Sequence, residues 1–257
     1  MIHPTAVVSP GAQIGAGVSI GPYSVIGDRV IIGRDSWIGP HVVISGPTRI
    51  GAGNRIFQFC SIGDDPQDKK FAGEVESALE IGEGNVIREF CSINRGTAGG
   101  GGVTRLGNQN WIMAYVHIAH DCLVGSHTVL ANNATLAGHV QVEDHAILGG
   151  FTGVHQFCRI GRHSFSAISS VVVKDVPPFT LVAGNTARPT GLNKEGLRRQ
   201  GFSADDIDRL ASAYRIVYRE GLLLRDALER LETPSAESTH VAAFAEFIRR
   251  SERGIVR

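Results

Sequence analysis

Very little in this 257-residue chain supplies a field, a membrane anchor or a covalent staple. Its 25 Lys and Arg balance 25 Asp and Glu, so nothing draws the whole molecule toward nucleic acid or an anionic lipid surface. No nucleic-acid partner is expected, and an acidic ligand would need a local basic patch. Long apolar runs are missing as well. A membrane helix needs about 20 apolar residues, and no such stretch occurs, so no stable membrane insertion is expected. Met1 to Pro10 lacks the basic lead and apolar centre of a secretory signal, which points to the cytoplasm. The four cysteines show no CxxC spacing, which leaves neither a disulfide framework nor a thiolate metal site to argue from. Cys60, Cys91, Cys122 and Cys158 each stand four places after an aliphatic residue: Ile56, Ile87, Ile118 and Val154. That shared position predicts small, buried, reduced core fillers.

What is present is a repeat. Ile14, Ile20, Ile26, Ile32, Ile38, Ile44, Ile50, Ile56 and Ile62 fall every six residues, and Val8 and Ile2 extend the series backwards. The period resumes at Ile81, Ile87 and Ile93. It then runs from Leu106 through Ile112, Ile118, Val124, Leu130, Leu136, Val142, Leu148, Val154 and Ile160, is broken at Ser166 and closes at Val172. Neither a helix nor simple alternation has this period. It is that of a left-handed parallel β-helix, in which each hexapeptide forms one side of a triangular coil and three make a coil of about 18 residues. The chain contains 32 glycines. Many directly follow the aliphatic residue, as at Gly15, Gly21, Gly33 and Gly51, where their permissive backbone is expected to make the turns.

Two interruptions, near 64–78 and 94–105, break the register and are expected to leave the coil as loops. The first carries Asp68, Lys69 and Lys70. The second holds Gly99 to Gly102, read as a flexible interface loop because it lacks the ending and setting of a phosphate loop. Asp175-Val176-Pro177-Pro178 is expected to end the regular coils. An all-β domain over 1–190 would thus be followed by an α-helical tail over 191–257. In that tail Ser203 and Asp206 form an acidic capping box. A stripe from Ile207 to Tyr218 packs inward, and two further helices are separated by Pro234.

Counting in eighteens stacks His120, Gly138 and Gln156 in one column, with Asp121, His139 and Phe157 beside it. His117 and His155 lie close by. Four of the chain's ten histidines thus gather in one patch. Histidine is the usual general base near neutral pH, and a glycine above it leaves a backbone N–H unobstructed. A base beside such a donor suits acyl transfer, where one takes the nucleophile's proton and the other holds the oxyanion.

The runs His117-Ile118-Ala119-His120-Asp121-Cys122, Leu130 to Val140, Gly153-Val154-His155-Gln156-Phe157-Cys158 and Asn193 to Arg199 resemble the bacterial UDP-N-acetylglucosamine acyltransferases of lipid A biosynthesis. The likeness extends over essentially the whole chain. It implies a homotrimer that moves a 3-hydroxyacyl chain from acyl carrier protein to the 3-hydroxyl of UDP-N-acetylglucosamine. The attack would be direct, with no acyl-enzyme, no cofactor and no metal. His120 would be the base, Asp121 its orienting partner, and the Gly138 N–H the oxyanion donor. Asp68, Lys70, His139, His155, Gln156, Asn193, Glu195 and Arg199 would hold the sugar nucleotide, with His117 near the acyl donor and the site between subunits. This chain departs from the family pattern at three positions. Gln200 stands where relatives often have a second arginine, Ile168 where long-chain members have glycine at the end of the acyl channel, and Thr186 where some members line that channel with histidine.

Other readings are distinguishable. The sister N-acyltransferase carries an extra domain before its β-helix, whereas this repeat starts at Ile2. A variant acting on a 3-amino sugar nucleotide shares the same pattern. A γ-type carbonic anhydrase would need three histidines around zinc, against which the Gly138 and Gln156 columns and the helical tail argue. A non-catalytic β-helical scaffold would need no histidine patch.

Overall fold

A computed structural model describes residues 1–73 and 77–257; the middle of the first excursion loop, 74–76, lies outside the described residues. The chain winds into a three-sided coil of parallel strands. Face one stacks nine strands from Val7–Val8 to Val171–Val172, and face two stacks eight from Gln13–Ile14 to Arg159–Ile160. Face three runs from Ser19–Ile20 up to Thr180–Ala183 and closes with Arg188–Leu192, its one antiparallel strand. Regular neighbours lie 18 residues apart, as in His117 beside Thr135 and Thr135 beside Gly153. The aliphatic series points inward: Ile26, Ile38, Ile44, Ile56, Ile62, Ile87, Ile93, Ile112 and Ile118 have no solvent exposure. Ser166, the break in the series, is buried too, with its hydroxyl paired to Thr152.

The four cysteines are free and buried in this core. The thiols of Cys60, Cys91 and Cys122 donate to the carbonyls of Arg88, Met113 and Ala137. Burial pushes the Cys122 thiol up to about 12 and Cys158 up to about 11, which suppresses the reactive thiolate.

The glycines serve a different purpose from the one expected. Those directly after the aliphatic residue mostly do not have positive φ. The left-handed corners are made instead by residues further on, among them Tyr23, His41, Phe59, Asp121, His139 and Phe157. The aliphatic-following glycines permit close coil stacking: a Cβ on Gly33 would stand 2.5 Å from the Gly51 carbonyl carbon of the next coil.

Both excursions leave at the corner between faces one and two, between Ser61–Asp64 and Ala78–Ile81 and between Ser92–Asn94 and Val103–Leu106. The Asp175–Pro178 run ends the regular 18-residue register, as expected, but the coil continues for one more turn at a spacing of 16. Val176 still bridges to Ile160, and Thr180–Ala183 pairs in parallel with Phe165–Ser166.

The tail has five helices: α1 (Lys194–Arg199), α2 (Ala204–Tyr218), α3 (Leu224–Arg230), α4 (Glu232–Glu237) and α5 (Thr239–Arg249). The Ser203–Asp206 capping box is present at the start of α2. Pro234 does not separate helices. It sits in the first turn of α4, where its missing N–H leaves no intrahelical bond unmade. The helices pack Leu210, Val217, Val241 and Phe244 around Phe179 from the top of the coil and Ile255 from the C-terminal segment.

Candidate active site

Asp121 and His139 make the left-handed turn at the corner between faces one and two, on successive coils, so their side chains project outward. His120 precedes Asp121, and its Nδ1 lies 2.8 Å from Asp121 Oδ2. A carboxylate only accepts, so the shared proton sits on Nδ1 and leaves Nε2 with a free lone pair. The Asp121 carboxylate has no solvent exposure. It also accepts from the Thr97 N–H at 2.9 Å and the Thr97 hydroxyl at 2.7 Å, while its own N–H donates to Thr104 Oγ1. Thr97 did not emerge from sequence counting because it lies in the second loop, and Thr104 because it stands one place off the Asp121 column, level with Cys122.

Gly138 lies under the His120 ring: a Cβ there would meet Cε1 at 2.6 Å and Nε2 at 2.8 Å. Only glycine fits. His139 stands edge-on to His120 at 5.2 Å and stacks on Phe157 at 4.5 Å. His117 points outward from face one and shares a 2.7 Å hydrogen bond with Ser92 Oγ. Burial, and then the neighbouring His120, lowers its pKa below the ordinary imidazole value. His155 and Gln156 lie exposed at the same corner, with His155 3.4 Å from the Arg253 guanidinium.

Donor atoms of His120, Asp121 and His139 lie within 4.8 Å of one another, a spacing that could bring three ligands to a cation. The hydrogen bonds compete with that use, since Asp121 already receives three and His120 Nδ1 is committed to it. The arrangement suits a base and its orienting partner better than a metal centre.

The first loop folds over this corner. Gln67, Asp68, Lys69 and Lys70 join His120, His139, Gln156 and Phe157 around a cavity of about 590 Å³. The remaining predicted residues lie elsewhere. Asn193 caps α1 by accepting from the Gly196 N–H, and its amide donates to the His163 carbonyl at the corner between faces two and three. Glu195, ion-paired to Arg199 at 3.0 Å, lines a separate cavity of about 320 Å³ with Arg199, Gln200, His145, His163 and Phe165. Ile168 and Thr186 are exposed near the top of the coil. One chain therefore presents the predicted site as two parts on two corners.

The comparisons agree with one another. A family model described as UDP N-acetylglucosamine O-acyltransferase, domain 2, matches residues 175–256, and one described as bacterial transferase hexapeptide (six repeats) matches residues 104–138. A curated protein of Thiobacillus denitrificans, named acyl-(acyl-carrier-protein)–UDP-N-acetylglucosamine O-acyltransferase, is 57% identical over 256 residues, spanning 100% of this chain and 99% of its own length. One of the same name from Janthinobacterium is 56% identical over 261 residues, spanning 100% of this chain and 99% of its own length. The solved UDP-N-acetylglucosamine O-acyltransferase of Moraxella catarrhalis has TM-score 0.97 at 48% identity, covering 100% of this chain and 99% of that one. The Francisella novicida UDP-N-acetylglucosamine acyltransferase has TM-score 0.98 at 44% identity, covering 100% and 94%.

Proposed function

Because the chain belongs to the acyl-(acyl-carrier-protein)–UDP-N-acetylglucosamine O-acyltransferase family, we propose that it acylates the 3-hydroxyl of UDP-N-acetylglucosamine by direct attack on a 3-hydroxyacyl carrier protein, the opening step of lipid A biosynthesis. The observation that carries the reading is His120 held by Asp121 over Gly138, with Asp68 and Lys70 facing it across one cavity. His120 Nε2 takes the proton as the sugar oxygen bonds to the thioester carbon. The carbon–sulfur bond then breaks, and the proton passes to the carrier thiolate. The Gly138 N–H stabilises the oxyanion meanwhile. No acyl-enzyme and no cofactor enter this route.

Asp68, Lys70, His139, His155 and Gln156 receive the sugar nucleotide from one chain. Asn193, Glu195 and Arg199 complete the pocket from a neighbour, because a single chain carries them on another corner. We infer a homotrimer for this reason, working in the cytoplasm; no helix among the described residues is long and apolar enough to cross a membrane. The acyl chain leaves His117 along face one past Thr135, Gly153 and Val171. These three strand steps of about 4.8 Å lead toward Ile168 and Thr186.

The test is mass spectrometry of products formed from UDP-N-acetylglucosamine and a ladder of 3-hydroxyacyl carrier proteins. A base-labile O-acyl product supports the reading. Turnover only with a 3-amino sugar nucleotide, or with no sugar nucleotide at all, overturns it.

A further inference from the structure

The four residues Asn94 to Thr97 touch both the first loop and Asp121 at the corner between faces one and two. Coil pairing sets Asn94 beside Asp64, so the second loop departs where the first one does. From there Arg95 reaches back over the first loop. Its guanidinium donates to the Gly63 carbonyl at the loop's entry and to Ser77 Oγ at its exit, at 3.3 and 2.8 Å. It also pairs with Asp65 and lies 5.4 Å over the Phe71 ring. The Asn94 amide adds a 2.8 Å bond to the Asp65 carbonyl. One largely buried side chain thus grips the beginning, middle and end of the loop that carries Asp68 and Lys70.

Two residues further on, Thr97 faces the other way. Its N–H holds Asp121 Oδ1 and its hydroxyl holds Oδ2. Thr97 itself is fixed because its carbonyl accepts from the N–H groups of Gly100 and Gly102. The glycine run then passes so close that a Cβ on Gly100 would stand 2.2 Å from the Asp121 carboxyl carbon. Without Thr97, the side-chain hydrogen bonds to the buried carboxylate among the described residues would come down to that of His120, with His139 Nε2 at 3.8 Å.

We propose that Asn94–Thr97 is a two-sided positioning element: Thr97 sets Asp121 and through it the aim of His120, while Arg95 sets the loop that receives the sugar nucleotide. Neither residue touches reacting atoms. The inference rests on His120 being the base, so the two must be tested separately.

The two halves predict opposite kinetic signatures. Losing a hydrogen bond to a charged group typically corresponds to about 10- to 100-fold. Thr97→Val keeps the backbone donor and removes the hydroxyl. It should lower kcat by about tenfold or more on that scale, with the Michaelis constant for UDP-N-acetylglucosamine within about twofold of wild type. Thr97→Ser restores the donor and should recover most of the rate. The acid limb of the pH–rate profile should move upward in Thr97→Val. With one donor fewer on Oδ2, Asp121 holds the His120 proton more tightly; the other titratable groups facing the pair are His117, His139, Asp68, Lys69 and Lys70. Arg95→Gln should do the reverse, raising the Michaelis constant about tenfold while kcat stays within about threefold.

His120→Ala is measured alongside on the same full-length protein. If it remains active, the base assignment beneath the inference is wrong. If it is inactive while Thr97→Val keeps wild-type kcat and pH profile, the base stands and the positioning role falls. Equal losses in Thr97→Val and Thr97→Ser would also overturn it, since a donor-specific role requires rescue. Should Thr97→Val lower the melting temperature markedly, Gly100→Ala decides instead. It pushes on the same carboxylate from the other side and should lower kcat with little change in the Michaelis constant; wild-type kcat there would sink the proposal.

Discussion

The lower coils, residues 1–62, and the upper coils, residues 106–172, are built on one inward pattern and differ almost only at their corners. Inward, Ile26, Ile44 and Ile62 below correspond to Ile118, Leu136 and Val154 above. At the corner between faces one and two, the lower region carries Gly27-Asp28 and Gly46-Pro47. The upper region carries His120, Asp121, His139 and Phe157. The inward positions close the coil, and any aliphatic residue of suitable size does that. The corner residue turns the chain in the left-handed region, at a cost of about 1–2 kcal/mol for a non-glycine side chain, and has no interior duty. Asp121 and His139, at φ 60° and 63°, show what that freedom permits. Chemistry collects where the fold needs a turn and leaves the side chain uncommitted.

The sharpest way to break this comparison is to mutate one residue of each kind two places apart. His120→Ala should lower kcat by about 10²–10⁴-fold, the usual weight of general-base catalysis, with the melting temperature nearly unchanged. A variant keeping more than half the wild-type rate excludes His120 as the base. Ile118→Ala, at a position with no solvent exposure, should cost about 2–5 kcal/mol in chemical denaturation. Equal stability losses in the two variants would show that corner and core are not separable.

A smaller effect tests the division of the site between corners. Lys70 lines the cavity at His120, and Arg199 lines the one at His163. If both bind the anionic sugar nucleotide, Lys70→Ala and Arg199→Ala should each raise its Michaelis constant, by about tenfold, more than they lower kcat. Unchanged constants in Lys70→Ala would return that residue to an ordinary solvated loop.

The corner between faces two and three also offers a test on stability alone. His145 stacks on His163 at 4.6 Å. Burial first, then His145, Arg162 and His240, lower the His163 pKa from 6.5 to about 4. Between those values the unfolded chain binds the proton that the folded chain refuses. The stabilisation is therefore present above about pH 6.5 and is lost as pH falls toward 4. Wild type should melt earlier at pH 5 than at pH 7, and His163→Gln should flatten that dependence. An unchanged slope in the variant would assign the acid sensitivity to other groups.

The coil was legible because its period is strict, and the His120–Gly138 stack because no insertion lies between those two coils. Thr97, Thr104 and Arg95 were not legible. Ile81 pairs with Ile50 below and Leu106 above, so both loops change the count and no fixed offset relates Thr97 to Asp121; Arg95 and Ser77 stand one 18-residue coil apart, but nothing in the period marks either as a partner. The glycine pattern was visible, but its purpose depends on the distance between coils, which periodicity does not carry. Pro234 read as a breaker because a sequence does not reveal that a new helix begins just before it.

The smallest expected effect concerns acyl length and rests on Ile168. It follows Ser166 near the top of the coil and is 70% exposed in the single chain, so it is not a core residue. A side chain there can bound an acyl groove only if a neighbouring chain supplies the other wall, as the proposed trimer would. Its Cγ1 lies 4.0 Å from where a Cβ on Gly150 would stand, on the outer surface of the turn. Where glycine leaves the channel open, isoleucine adds four carbons. Overpacking a closed space typically costs about 1–3 kcal/mol, whereas each buried substrate methylene contributes about 0.8 kcal/mol. Once the groove is full, a further methylene turns from gain to loss. The preferred chain should therefore be shorter, by roughly two to four carbons on this volume argument, than in glycine-bearing relatives. Thr186, exposed near the top of the coil, would offset part of that by replacing a larger histidine. Competition among 3-hydroxydecanoyl, dodecanoyl and tetradecanoyl carrier proteins measures the preference directly. If wild type prefers tetradecanoyl, or if Ile168→Gly leaves the preference where it was, Ile168 does not set the length.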